Sequence, residues 1–410
     1  MIVKDGAPVL ARCLQSIAPF VDRLVIGDTG SKDDSPDLAR SFGAEVFFIP
    51  WEQDFSRARN RLLAERRCDW VFVLDADEML DPAGAAQIRE LIQSPGVFAY
   101  HNPRWNYFRD MSARLGFQTA KPNPFVLEES RPYSGYVSLP TTRLFRGHSG
   151  VYYEGCVHET ITKRLALLQL PTAPARFIVH HFGHVEDGET VRTQKDALYA
   201  ALSEKKLEAN PNDPQALIDL GLAELEHARR PGVAFRHFSR ACRLSPQSAV
   251  AWLFSGACLV RLNRLPEALQ CLDQAKALGL RNALLYQTLG DVHFHSGRYG
   301  NAREAYLRVA AMGEASPLSE AKLGACEVHL GLPGGIGRMQ QATAAAPAFG
   351  ELYDMLATGA LLAGDLELAS RTAEDRMRLG NTTEFHVQLN ALLQEQWKQR
   401  DSKLAVPAMA

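Results

Sequence analysis

No stretch of this sequence approaches the roughly 18 uninterrupted apolar residues of a membrane-spanning helix. Its start, Met1-Ile-Val-Lys-Asp5, also lacks the basic segment and apolar run of a secretory leader. A cytoplasmic protein without a transmembrane segment is therefore expected. An excess of either charge is missing too: 45 basic side chains face 47 acidic ones, a formal net charge of -2. Such a balance gives no overall field to gather a polyanion, so nucleic acid is not an expected partner. The seven cysteines include no paired C-x-x-C, unlike a disulfide framework or a zinc site, and read as reduced thiols.

What is present is ordinary globular material, 46% hydrophobic and 22% charged over 410 residues, enough for two domains. In the first 80 residues short apolar runs (Met1 to Val3, Arg23 to Gly27, Ala44 to Ile49, Trp70 to Leu74) alternate with helical patterns. The helical stretches are Ala7 to Ile17, Ser35 to Phe42 and Ser56 to Glu65. Strand and helix in alternation predict an α/β domain with a mostly parallel sheet. Ligands of such sheets bind beyond the carboxyl ends of the strands, where Asp28-Thr-Gly-Ser and Asp75-Ala-Asp-Glu fall. The aromatic stretch with proline and glycine from His101 to Pro140 is too long for a simple connection and reads as a substrate-covering loop. Further strands are expected around Thr142 to Phe145, Gly150 to Tyr153 and Phe177 to His181, and only helices from about Gly188 onward.

A repeat emerges when small residues are aligned: Gly221, Gly256, Gly290, Gly324 and Gly359 lie 35, 34, 34 and 35 positions apart. A period of ~34 is that of the tetratricopeptide helix hairpin, whose small side chains let paired helices approach. The expected division is residues 1–200 for the α/β domain, 201–398 for about five repeats, and a disordered tail at 399–410. The fourth repeat reads as degraded, because Pro333-Gly-Gly-Ile-Gly interrupts its hairpin.

The chemistry concentrates where the run Trp70-Val-Phe-Val-Leu ends in Asp75, Asp77 and Glu78. Three carboxylates at the end of a buried strand need cationic balance, and a divalent Mg²⁺ or Mn²⁺ with oxygen ligands is the simplest one. Asp28 closes an earlier strand, where a carboxylate can accept from ribose or base donors, or instead cap the next helix. Ser31, Asp33 and Asp34 are better placed for that capping. His158 and Glu159 form an adjacent pair able to supply a metal ligand and a base. His180, His181 and His184 form a second cluster whose spacing could suggest zinc, but no acidic or thiol partner is placed nearby.

Taken together these motifs resemble family 2 glycosyltransferases of the GT-A fold, in the subgroup that includes bacterial peptide S-glycosyltransferases. The resemblance rests on Met1-Ile-Val-Lys, Asp28-Thr-Gly-Ser-Lys-Asp33, Trp51-x-x-Asp54-Phe55-Ser56-x-Ala-Arg59-Asn60 and Asp75-Ala-Asp77-Glu78. It continues through Arg143-Leu-Phe-Arg146, Gly155-x-Val-His158-Glu159 and His181-x-Gly183. Many members of that subgroup carry C-terminal tetratricopeptide repeats, which implies a GT-A domain followed by an all-α solenoid. The resemblance implies a nucleotide-sugar donor, a UDP-sugar by expectation, and an inverting transfer that uses Mn²⁺ or Mg²⁺. On matching positions, Asp28, Arg59, Asn60, Asp75 and His181 are expected at the donor, Asp77 and His158 at the metal, and Glu159 as base. A peptide or protein acceptor on the repeats is expected. Family members usually carry several residues before Met-Ile-Val-Lys to complete the first strand, so that strand is expected to be short or to begin upstream.

Two rival readings make different demands. An interaction scaffold with an inactive relic should have lost its carboxylates, yet Asp28, Asp75, Asp77 and Glu159 are all present. A phosphatase using a strand-end D-x-D as nucleophile and acid would want Thr or Val where this chain has Met79.

Overall fold

The structure, a computed structural model, describes all residues except 66–67, 112–113, 116–117, 148–149, 184–188, 227–229, 381–383 and 405–410. The chain forms two compact units, one of Met1–Arg109 with Phe125–Ala228, the other of Asp110–Pro124 with Arg229–Ala410.

The first unit opens as its sequence pattern predicts: β1 (Ile2–Val3), α1 (Ala7–Ile17), β2 (Val25–Asp28), α2 (Ser35–Ser41), β3 (Glu45–Phe48), α3 (Phe55–Ala64) and β4 (Trp70–Phe72). In α1, Leu10, Cys13, Leu14 and Ile17 recur at helical spacing and are all buried. Its first turn has no side-chain cap of its own. The orphan N–H groups of Gly6 and Ala7 are met instead by Ser35 Oγ at 2.8 Å and Asp33 Oδ2 at 2.9 Å, which fastens the β2–α2 turn to α1. Strands β1, β2 and β3 pair in parallel in that order.

Beyond β3 the sheet is not the mostly parallel one expected. β4 pairs antiparallel with β10 (Gly135–Arg146), and the mixed second sheet runs β4-β10-β6-β12-β5. Here β5 is Glu78–Leu80, β6 is Ala99–Phe108 and β12 is Val179–His181. Two further pieces of this unit are α4 (Pro82–Leu91), capped by Asp81 on Gly84 N at 2.6 Å, and α5 (Thr162–Leu167). β11 (Thr172–Pro174) lies parallel on β6. A first apolar cluster, including Cys13, Leu80, Tyr100, Leu144 and Val179, holds α1 and α4 against this sheet. A second, including Leu63, Phe98, Phe145 and Ile161, lies under α3 and α5.

The stretch from His101 to Pro140 is therefore no covering loop at its two ends. Those ends are the long antiparallel pair β6 and β10, whose register places Pro103 opposite Pro140. Pro103 falls between the residues of β6 that pair with β11 and those that pair with β12, where the ladder has a gap. Residues 150–153 form no strand, and pairing there is limited to a single bridge between Glu154 and Thr160.

Two helices complete this unit, α6 (Glu189–Ala209) and α7 (Pro214–Glu226). The second unit is a succession of hairpins: α8 (Pro231–Leu244), α9 (Ala249–Arg261), α10 (Leu265–Ala277), α11 (Ala283–His295), α12 (Tyr299–Ala311), α13 (Pro317–His329), α14 (Gly335–Ala345), α15 (Gly350–Leu362), α16 (Leu366–Arg378) and α17 (Glu384–Leu404). Ser248, Asn282, Ser316 and Asp365 cap α9, α11, α13 and α16 by accepting from a first-turn N–H. The repeating glycines mark close crossings, since a Cβ at Gly256 would lie 2.8 Å from Leu272 and one at Gly290 2.6 Å from the Tyr306 ring.

The hairpin expected to be degraded is a close crossing of backbone on backbone. A Cβ on Gly324 would lie 2.6 Å from the carbonyl oxygen of Gly335, and one on Gly335 2.5 Å from that of Gly324. The glycines of the Pro333 segment thus let α13 and α14 touch backbone to backbone. The segment 110–124 belongs to this unit, fixed by Thr119 Oγ1 donating to Ser316 Oγ (2.7 Å) and by the Lys121–Glu314 ion pair (2.5 Å). Of the expected tail, residues to 404 lie in α17 and 405–410 fall outside the described residues.

Candidate active site

Asp75 lies just beyond the carboxyl end of β4, as the sequence indicated, and Glu78 opens the next strand, β5. Their charge is balanced by arginines. Arg59, on α3, reaches Asp75 Oδ1 at 2.6 Å, and Arg143, on β10, reaches Asp75 Oδ2 at 2.8 Å and also pairs with Glu78. Burial alone would raise the Asp75 carboxyl; the two guanidiniums outweigh it and hold the group well below the usual carboxylate range. Burial likewise works against both cations, yet Asp75 with Glu159 raises Arg59, and Glu78 with Asp75 raises Arg143. The cation inferred from three clustered carboxylates is thus supplied, for two of them, by protein.

Arg143 reaches this position through a β-bulge. The β10–β6 register slips between Thr142 and Leu144, leaving Arg143 as the extra residue, its N–H donating to Asn102 Oδ1 at 3.2 Å. Bulges re-aim side chains, and this one turns a guanidinium onto the strand-end carboxylates.

Asp77 has different company. Residues Glu78, His181 and Asn106 stand opposite one another across β5, β12 and β6. Asn106 Nδ2 donates to the carbonyl of Val137 at 3.1 Å, so its Oδ1 faces His181 Nδ1 at 2.9 Å and fixes that nitrogen as the donor. His181 Nε2 is then the ring's acceptor in the neutral tautomer, and it faces Asp77 Oδ2 at 3.3 Å. Two acceptors at that separation suit a shared proton or cation. The chain leaves room for one: a Cβ on Gly183 would lie 2.3 Å from Asp77 Oδ2 and 2.9 Å from His181 Nε2, filling the gap.

The other expected site residues are distributed as follows. Asp28 ends β2 and is buried, its carboxylate accepting from Ser31 N at 3.1 Å and Gly30 N at 3.4 Å, so it closes its own turn. Asn60 grips the backbone of Tyr153 from both sides, donating to its carbonyl at 2.9 Å and accepting from its N–H at 2.7 Å. That amide is engaged in holding the 153 segment rather than facing a ligand. Glu159 receives Arg59 Nε at 2.5 Å, joining it to Asp75 through one guanidinium. His158 next to it has a positive φ of 52°. It lines a cavity of about 210 Å³ with Lys163, Lys206, Asp213 and Gln215. Of the two expected metal ligands, His158 lines this cavity, and Asp77 has His181 beside it at 3.3 Å. His180 is a core residue, fully buried, with Nδ1 2.8 Å from the Tyr107 hydroxyl, and burial pushes it down to about 3. His184 lies outside the described residues.

Sequence reasoning assigned no role to Arg143, Asn106 or Arg104. Arg143 stood in a motif without a partner, and the partners lie 65 and 68 positions away. The alternation Arg104-x-Asn106 could have put both on one face, had β6 been legible as a strand.

Comparison with known proteins finds several similar chains. The model of glycosyl transferase family 2 matches residues 1–142. A TPR repeat-containing protein of Synechococcus elongatus is 30% identical over 227 residues, 54% of this chain and 50% of that one. The SPbeta prophage-derived glycosyltransferase SunS of Bacillus subtilis is 22% identical over 227 residues, 54% of this chain and 47% of that one. An uncharacterized glycosyltransferase of Rickettsia felis is 32% identical over 104 residues, 25% of this chain and 34% of that one. The chain spans about half the length of the first two relatives. Among solved structures, YrrB, a TPR protein with an unusual peptide-binding site, is similar at 18% identity and a TM-score of 0.38, covering 47% of this chain and 99% of that one. No helix among the described residues is long and apolar enough to cross a membrane. Residues 1–142 thus carry a match to glycosyl transferase family 2, and a succession of helical hairpins follows in the chain.

Proposed function

We propose that this chain transfers a sugar from a nucleotide-sugar donor, with a divalent Mn²⁺ or Mg²⁺ held by Asp77 and His181. The observation that carries the reading is the Asp77–His181 pair, an acceptor nitrogen and a carboxylate oxygen 3.3 Å apart, over a glycine whose missing side chain keeps the gap open. A carboxylate and an imidazole suit such a cation, and Asn106 supplies the hydrogen bond that orients a ligating histidine. Among the described residues no larger cluster of His, Cys, Asp and Glu side chains forms. The remaining ligands would be water and donor phosphate oxygens, as is usual for Mg²⁺ in phosphate-handling sites. When bound, the cation would neutralise charge on the leaving diphosphate.

The protein groups divide the remaining work. Asp28 would present its carboxylate to the uridine part of a UDP-sugar, from a turn that its own hydrogen bonds to Gly30 and Ser31 keep rigid. Asp75, Arg59 and Glu159 form a fixed relay behind the donor. Glu159 would abstract a proton only by giving up Arg59, so we assign it to holding that arginine on Asp75 and leave no base named. Transfer is a single displacement with inversion. The acceptor's O–H or S–H loses its proton as the new bond to the anomeric carbon forms, and the bond to the diphosphate breaks. Helical-hairpin repeats commonly present long surfaces for extended chains, which favours a polypeptide acceptor.

Calorimetric titration of UDP tests this reading, with Mn²⁺ and then with EDTA, on the parent protein and on Asp77→Ala and His181→Ala. Metal-dependent binding lost in both variants is expected. Equal binding in EDTA would remove the metal assignment, and no binding under any condition would favour the scaffold reading.

A further inference from the structure

We propose that Arg104 is the oxyanion receptor of this site, taking the diphosphate of the donor; the proposal rests on the nucleotide-sugar reading above. Three guanidiniums surround the strand-end carboxylates, and they are committed to very different degrees. Arg59 holds Asp75 and Glu159 at 2.6 and 2.5 Å, and Arg143 holds Asp75 at 2.8 Å and Glu78 more closely still. Arg104 has one ion pair, at 3.6 Å to the Glu78 oxygen that Arg143 already occupies. Its Nε is buried without a hydrogen-bond partner, and among the described residues its guanidinium makes no hydrogen bond at all. Five donors in a planar fork, unspent and partly desolvated, are costly unless something fills them.

Position indicates what fills them. Arg104 lies two residues before Asn106 on β6, hence on the same face as the Asn106–His181–Asp77 row. The side chain is 24% exposed, enough for a ligand to reach it, while Glu78 behind it is fully buried. Arg59 and Arg143 face three carboxylates, Asp75, Glu78 and Glu159, and Arg104 is the third and most loosely held cation of this group. A guanidinium held at 3.6 Å, with its buried Nε unpartnered, is available to a dianionic group. A phosphate accepts the planar fork in bidentate fashion, which a carboxylate-bound arginine cannot offer.

Titration of UDP, uridine and inorganic pyrophosphate, each with Mn²⁺, into the parent protein, Arg104→Gln and Arg104→Lys tests the assignment. UDP affinity is expected to fall about 10- to 100-fold in Arg104→Gln, the scale of a lost charge-assisted hydrogen bond, with uridine affinity unchanged. Arg104→Lys should lie between, keeping the charge and losing the fork. UDP and uridine falling together, with the melting temperature restored by adding Glu78→Gln, would make Arg104 a partner of Glu78 only and overturn the proposal. If the parent binds UDP and Arg104→Gln binds it equally well, the inference fails while the donor reading stands. If the parent binds no nucleotide, the donor reading fails; pyrophosphate binding lost in Arg104→Gln then upholds the receptor, and its absence in the parent overturns it.

Discussion

Replacing Arg143 with methionine removes a cation and keeps the apolar stem, so it isolates the charge that the β10 bulge delivers. Arg143 is 10% exposed at its side chain and serves both Asp75 and Glu78. Without it, Asp75 keeps Arg59, while Glu78, with 0% side-chain exposure, keeps the Asp75 N–H at 3.0 Å and the distant Arg104. Removing one partner of a buried ion pair costs about 3–5 kcal/mol, because the other charge stays behind uncompensated. For a unit of this size that is a melting shift of about 6–20 °C. Trp51, Trp70 and Trp105 report on this unit in urea titrations read by fluorescence. The double variant with Glu78→Gln, which removes the stranded charge, should recover at least about 2 kcal/mol, a coupling that a double-mutant cycle measures directly. EDTA should leave the midpoint of the parent unchanged, since Asp75 and Glu78 are balanced by arginine. A loss below about 1 kcal/mol, or one that Glu78→Gln does not reduce, would refute this charge balance.

The repeat unit offers a paired test. Gly324→Ala forces a methyl against the Gly335 carbonyl, which cannot withdraw, and should cost about 1–3 kcal/mol. Gly359→Ala meets the end of the flexible Met339 side chain at 2.4 Å and gains up to about 1 kcal/mol of helix propensity, so its melting temperature should stay close to the parent's. Equal losses would show that backbone contact does not decide the cost. His180 gives a pH test. Its folded value of about 3 lies below the 6.5 of the unfolded residue, so between those values the unfolded chain takes up a proton that the folded one refuses. Stability should therefore fall as pH falls from 6.5 toward 3, by at most about 1.4 kcal/mol per pH unit from this group, with none of the effect above 6.5. His180→Gln should flatten that slope between pH 6.5 and 4.5, above the range in which Asp75 loses its contribution; Asp219, raised by burial, acts with the opposite sign and is common to both proteins. Identical slopes in urea midpoints would contradict the assignment.

Local order was legible wherever one face of an element is buried and the other exposed. The bounds of α1 coincide with its sequence pattern because Leu10, Leu14 and Ile17 line one stripe behind Pro8. The spacing of the glycines marked the hairpins because the crossings at Gly256, Gly290, Gly324 and Gly359 are limited by the nearest side-chain or backbone atom. β6 and β10 were illegible for the opposite reason. Each is covered on both faces and at both edges over part of its length, so neither alternates cleanly, and each carries a proline that reads as a break. The covering-loop reading followed from that loss of pattern. The glycines after Pro333 misled in the same way, being scored as an interruption when their function is close approach.

At the site, the acidic strand end was legible and its balance was not, because a carboxylate's partner is a matter of three-dimensional proximity. Asp75, Asp77 and Glu78 look equivalent in sequence, but the fold sorts them. Arg143 arrives from 65 positions away through a one-residue bulge and takes Glu78 and half of Asp75; Arg59 arrives from the preceding helix and takes the other half. Asp77 is left facing an imidazole nitrogen whose lone pair Asn106 has turned toward it. Charge counting along the sequence asked for one cation to serve three carboxylates. The structure divides that demand, with two carboxylates met by arginine and the third facing an imidazole. If a cation at Asp77 were to leave, neither Asp75 nor Glu78 would lose its arginine, which is why EDTA is expected to leave the folding midpoint unchanged while the Arg143 variant lowers it.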